Sequence, residues 1–233
     1  QDILGSFLGK IYSFAIALYL VLVAGTILRI FADVIKGLML PQTPLEVIMI
    51  TMLFTSMYLI MNGISSLSKV CEIFMPIIII VSLILIFLPL KHFNIEEFYP
   101  MFSNGIKPAL IGIPKIFTAF LGFEIVAFIT PFASEDNNIW RYSMLGLLIP
   151  VCIYTLLVFT VIGIFGVNTT SFSIYPTLEI ARYINFPGAF AERFDIFFML
   201  FWVLASFSTL SCYFYMSSLS IAKLLDLNYY RPF

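Results

Sequence analysis

The chain has 233 residues, 61% of them hydrophobic and only 11% charged, against roughly 25% charged in an ordinary soluble domain. Twelve Lys and Arg against thirteen Asp and Glu leave a formal charge of −1, so there is no basic field for nucleic acid or acidic lipid. A mean hydropathy of +1.06 excludes a soluble globular protein and a disordered tail, and the unit of length becomes the membrane span of about 20 residues.

The chain opens on Gln1 with no basic segment, short apolar core and small-residue cleavage site, so no signal peptide is read and the piece is expected to be internal to a longer protein. Ile11 to Leu28 is uncharged and predicts a first span running on to about Lys36. Arg29 and Asp33 sit four apart, an ion-pair spacing on one helix face. Leu38 to Thr43, with Pro41 and Pro44, predicts a turn. Val47 to Ser68 is a second uncharged run, Lys69 and Glu72 interrupt, and Ile73 to Leu90 is a third. Residues 91–108 read as a longer connection.

Ala109 to Ala133 predicts a fourth span of a different kind, containing Gly112, Pro114, Lys115, Gly122, Glu124 and Pro131. A short polar loop is expected at 134–141, a fifth span from Tyr142 to Gly166, and a long loop over 167–192. Within that loop Leu178, Ile180, Ala181 and Ile184 recur at helical spacing, so Thr177 to Ile184 predicts a short helix. Eight residues reach about 12 Å, too short to cross a bilayer, so it should lie over the bundle. Ile196 to Ala222 is the sixth span, and Asp226 to Phe233 reads as interfacial. The runs are continuous rather than alternating, which excludes a β-barrel. The expected architecture is an all-α integral membrane protein with about six spans in one transmembrane domain covering 1–233. Alternating spans put five basic residues on one side and six on the other, so charge does not set the orientation.

Catalysis finds no support. His92 is the only histidine and lies in a loop; no metal-ligand cluster, phosphate loop or paired base for a serine nucleophile is present in the sequence. Neither enzyme activity nor a cofactor is expected. Cys71, Cys152 and Cys212 all fall inside apolar stretches with no metal-like spacing and read as small buried hydrophobes.

The fourth span carries the chemistry. A charge at bilayer depth costs about 2.5–3.5 kcal/mol on insertion scales, so Glu124 should face a cavity or a partner. Gly122 beside it predicts a loss of regular helix between about Phe120 and Glu124. A span broken there exposes backbone N–H and C=O groups that can bind a small zwitterion or ion, with Phe120, Leu121 and Phe123 as apolar contacts. Glu124 has two readings: it binds the ammonium of a ligand, or it anchors the break through a neighbouring hydroxyl, Lys or Arg. Ser206 and Thr209, among the hydroxyls of the sixth span, and Tyr19 in the first, either line a polar cavity or pack helices. The candidate binding set is therefore Tyr19, Phe120, Leu121, Gly122, Phe123, Glu124, Ser206 and Thr209.

Several stretches, in this order, resemble one family: Leu28-Arg29-Ile30-Phe31-Ala32-Asp33 with Leu40-Pro41-Gln42-Thr43-Pro44; Gly105-Ile106-Lys107-Pro108; Gly122-Phe123-Glu124; Tyr175-Pro176-Thr177-Leu178-Glu179; Glu192-Arg193-Phe194-Asp195 before Trp202; and Tyr230-Arg231-Pro232. They resemble the spore germination permeases, the GerAB-type B subunits of nutrient germinant receptors, in the amino acid–polyamine–organocation transporter superfamily. The resemblance implies a ten-helix, leucine-transporter-type inverted repeat whose first and sixth helices are broken. The six spans would be its third to eighth helices, so two at each end are missing. It implies a subunit that works with A and C subunits to sense small nutrients, chiefly amino acids, in the spore inner membrane. It would place the loops at 37–46, 91–108 and 167–192 outside. The alternative is a working permease or conduit for amino acids, ions or water.

Overall fold

A computed structural model describes residues 6–100, 105–130, 138–184 and 194–225. Among them every regular element is helical: α1 (Ser6–Leu38), α2 (Leu45–Met61), α3 (Gly63–Phe87), α4 (Lys107–Phe117), α5 (Glu124–Ile129), α6 (Ile139–Phe172), α7 (Pro176–Tyr183) and α8 (Phe194–Leu224). The α3, α6 and α8 runs and most of α1 have the length and hydropathy to cross a membrane. The other two expected spans differ. The second is a 17-residue helix, α2, and the fourth is divided into α4 and α5.

The boundary between the second and third runs lies at Asn62–Gly63, not at Lys69–Glu72. Gly63 has φ +82°, a conformation costly for any residue with a Cβ. The Asn62 N–H donates to the Leu59 carbonyl, closing α2. Lys69 and Glu72 ride inside α3 on its exposed surface, since both are good helix formers and neither must be buried. The start of the fifth span also moves: Trp140 and Arg141 belong to the first turn of α6, after Asn138. The remainder of the loop expected at 134–141, the end of the long loop at 185–192, and the segment after Asp226 fall outside the described residues.

The chain divides into two compact units, residues 1–75 with 203–233 and residues 76–202. In the first, α1 and α2 pack against each other. Ala17, Leu20, Ala24, Leu28 and Phe31 of α1 are buried, as are Ile48 and Met52 of α2. Arg29 Nε and Asp33 Oδ2 lie 2.9 Å apart, as their spacing predicts.

In the second unit a core forms from Val81 and Leu85 of α3, Val161 of α6, Ile180 and Ala181 of α7, Ile184 and Phe194. The short helix expected at 177–184 is α7, with Pro176 at its first position, where a missing N–H costs nothing. Leu178, Ile180 and Ala181 point into the core, while Arg182 stays half exposed and reaches Asp195 at 3.9 Å. Burial therefore holds α7 in place, and the exposed ion pair adds about 0–1 kcal/mol. Ile180→Ala should lower stability by about 2–5 kcal/mol and Arg182→Ala by far less. Thermal unfolding of the detergent-purified protein reads both; equal losses would show that the ion pair, not the buried face, anchors α7.

Candidate functional site

Regular α-helix ends at Phe117, tightens into a 3-10 turn at Thr118–Phe120 and resumes only at Glu124. The fourth apolar run is thus broken where its sequence predicts. The local cause is Gly122, whose φ of +116° is rarely open to an L residue. The chain re-enters helix through Ile125 N–H to Gly122 O at 3.1 Å and Val126 N–H to Phe123 O at 3.2 Å.

Glu124 is half-buried and is the first residue of α5. Its Oε2 accepts the Gly122 N–H at 2.8 Å. The carboxylate thus reaches back across the turn and holds a backbone N–H at the break. A hydrogen bond to an ionised acceptor is about twice as strong as a neutral one. This contact is to a backbone N–H, a partner other than the neighbouring hydroxyl, Lys or Arg that the sequence reading named for an anchor. A carboxylate with two oxygens accepts further hydrogen bonds as well, so the anchor role leaves capacity for a ligand.

Around the break, Leu121 and Phe123 are exposed while Phe120 and Gly122 are half-buried. Phe120 lies against Tyr154 of α6, ring centroids 5.7 Å apart. Tyr154 was not a sequence candidate. Its only sequence signal is a phenol inside an apolar span, and nothing in one chain's pattern tells which neighbouring helix it meets. Gly112 and Pro114 lie in α4, one to three turns before the break; the Lys115 side chain lies outside the described residues.

Three candidates belong to the other compact unit. Tyr19 lies on α1, 41% exposed. Ser206 and Thr209 lie on α8, both half-buried, and Thr209 Oγ1 donates to the Ala205 carbonyl at 2.9 Å. Neighbouring hydroxyls are used in the same way: Ser208 donates to Leu204 O, Ser217 to Phe214 O and Ser220 to Met216 O. Such bonds to the preceding turn satisfy the donor and leave the oxygen lone pairs open. Ser211 is fully buried with no hydrogen-bond partner among the described residues.

A second breach of helical geometry lies in α6, where sequence reading ended the span. Gly166 has φ 76° and ψ 161° inside Ile139–Phe172. Residues 167–172 therefore form a further helical turn rather than the start of a loop. The connection that follows α3 docks on this breach. The Asn94 N–H donates to the Gly163 carbonyl at 2.8 Å. Phe93 and Phe98 stack with Phe159 at centroid distances of 4.9 and 4.8 Å. The sequence signal was the glycine pair Gly163 and Gly166 at the end of an apolar run, which reads equally well as a helix stop.

A family model described as spore germination protein matches residues 1–231. Among curated proteins the chain is 28% identical to spore germination protein A2 of Bacillus subtilis (strain 168), over 97% of this chain and 62% of that protein. It is 28% identical to spore germination protein B2 of the same organism, over 88% and 55%, and 26% identical to spore germination protein YndE, over 96% and 61%. The chain thus spans a little over half the length of these relatives. No solved structure matches it. With a family match over nearly its whole length and four long apolar helices, this is a multi-pass membrane protein that belongs to the spore germination protein (spore permease) family.

Proposed function

We propose that the chain is the central part of a membrane subunit of a spore nutrient germinant receptor, which senses small nutrients such as amino acids and triggers germination. Its relatives carry germination names, and the observation that carries the reading is the helix break anchored by Glu124 on Gly122. A break of this kind presents backbone dipoles to a zwitterion at bilayer depth, where a soluble-type pocket is not available. Phe120, Leu121, Gly122, Phe123 and Glu124 are the proposed ligand-binding residues of the unit that carries the break, and Tyr19, Ser206 and Thr209 are proposed separately as ligand-binding residues of the other. The ten-helix inverted repeat, with two further helices at each end, is the fold proposed for the whole protein. A and C receptor subunits are its proposed partners.

A second reading, an active permease for amino acids, ions or water, draws support from the permease in the family's name. Uptake of radiolabelled amino acids by the full-length protein without partner subunits separates the two. The receptor reading expects no uptake above an empty-membrane control, together with a lost nutrient response in spores lacking the protein. Sustained, saturable uptake would replace it with the permease.

A further inference from the structure

The break in the fourth apolar run is pinned on both sides of its turn. Downstream, the Glu124 carboxylate holds the Gly122 N–H. That bond joins residues two apart, so it shapes the turn but cannot fix the turn against the rest of the fold. Gly122, at φ +116°, has no side chain to restrict it. Among the described residues the backbone of α4 and α5 makes no extensive close approach to another helix. Upstream, the 3-10 turn Thr118–Phe120 ends on Phe120, and there an outside contact falls. The Phe120 ring meets Tyr154 of α6 at a centroid distance of 5.7 Å and an interplanar angle of 54°. Both residues belong to the same compact unit. Tyr154 lies about 18 Å along α6 from Tyr142 at the usual helical rise, inside a hydrocarbon core of about 30 Å. It is 44% exposed, so replacing its side chain opens no buried core.

We infer that Tyr154 is a positioning residue for ligand binding at the break: its ring holds Phe120, and Phe120 holds the entry to the turn at Leu121–Glu124 in the arrangement that binds. This role presupposes the germinant-receptor reading above and adds to it a residue from outside the broken run. Aromatic rings carry a negative face and a positive edge, so a tilted pair at this separation attracts beyond simple burial. A ligand that binds one arrangement of the turn has its apparent affinity reduced by the fraction of time the turn spends in others. Without the ring pair the turn spreads over more arrangements. The ligand concentration needed then rises, while the ligand's own contacts at Gly122 and Glu124 stay the same. The ring, not the hydroxyl, supplies the hold, so phenylalanine at 154 should suffice and a side chain without a ring should not.

The test uses spores whose full-length protein carries Tyr154→Phe, Tyr154→Leu, Phe120→Leu or the last two together, with spores lacking the protein as the control. Germination is followed over a dilution series of a defined mixture of the protein amino acids, and immunoblots of spore membranes give abundance. Tyr154→Leu should raise the half-maximal concentration about three- to tenfold, the worth of an aromatic pair, at unchanged abundance. Tyr154→Phe should match the wild type. In a Phe120→Leu background, Tyr154→Leu should shift the curve no further, because Tyr154 acts through Phe120. An unmoved half-maximal concentration in Tyr154→Leu overturns this role, as does loss of that variant from the membrane, which would make Tyr154 a purely structural residue. The role is equally overturned if Tyr154→Phe behaves as leucine does, or if the two leucine changes add in full. Spores without the protein that respond as the wild type does would instead overturn the receptor reading, and the positioning role with it.

Discussion

Spores carrying Glu124→Leu should lose their nutrient response almost completely and hold less of the protein in the membrane. Leucine removes the oxygen that accepts the Gly122 N–H, and that N–H then faces an apolar surrounding with no partner. Losing a bond to a charged group costs about 1.5–3 kcal/mol, and the stranded donor adds its own desolvation penalty. The break would then close or wander, taking Phe120 and Phe123 with it. Glu124→Gln keeps one carbonyl oxygen in the same place and discards only the charge. As an anchor, glutamine should restore abundance and part of the response. If Glu124 also binds a ligand ammonium, glutamine should restore abundance and not the response. Gly122→Ala should imitate leucine at 124, because a side chain at φ +116° is strained by about 1–3 kcal/mol. Immunoblots of spore membranes and germination curves over nutrient concentration read the two effects separately. Normal abundance and normal germination with leucine at 124 would remove Glu124 from both roles.

Much of this was legible in the sequence because membrane spans depend on bulk hydropathy, and Gly122 beside a charge is a local signal. The broken fourth run, α7 and the Arg29–Asp33 pair all rest on spacings of four residues or fewer. What failed was punctuation. Lys69 and Glu72 looked like a boundary because charge usually marks the end of a span, yet α3 carries them on its exposed surface and the turn falls at Gly63. A positive φ leaves no mark in composition, and Gly25 and Gly37 sit within α1 without breaking it. Contacts between distant segments were hidden for a different reason. The Phe120–Tyr154 meeting depends on how helices are rotated against each other, which the hydropathy of uniformly apolar spans does not specify.

Gly163→Leu should release the connection after α3 from the end of α6, and it should do so through the ring of Phe93. A Cβ at position 163 would overlap that ring, which is held in turn by Phe98 and Phe159. Tight backbone approach is needed as well, since the Asn94 N–H bonds directly to the Gly163 carbonyl. That carbonyl is available because Gly166 departs from helical geometry just where the i→i−4 ladder would have used it. Gly166→Ala attacks the same arrangement from the other side. Its backbone lies in a region that is essentially glycine-only, at a cost of about 1–3 kcal/mol, and its new methyl would overlap the Glu97 carboxylate. Limited proteolysis of the purified protein should therefore show faster cleavage within 88–99 in both variants. The compensating change distinguishes the two causes. Phe93→Ala should slow cleavage again in Gly163→Leu, by making room for the new side chain. It should not help Gly166→Ala, where the fault lies in the backbone. Unchanged cleavage in Gly163→Leu would mean that the connection is held to α6 by something other than this close approach.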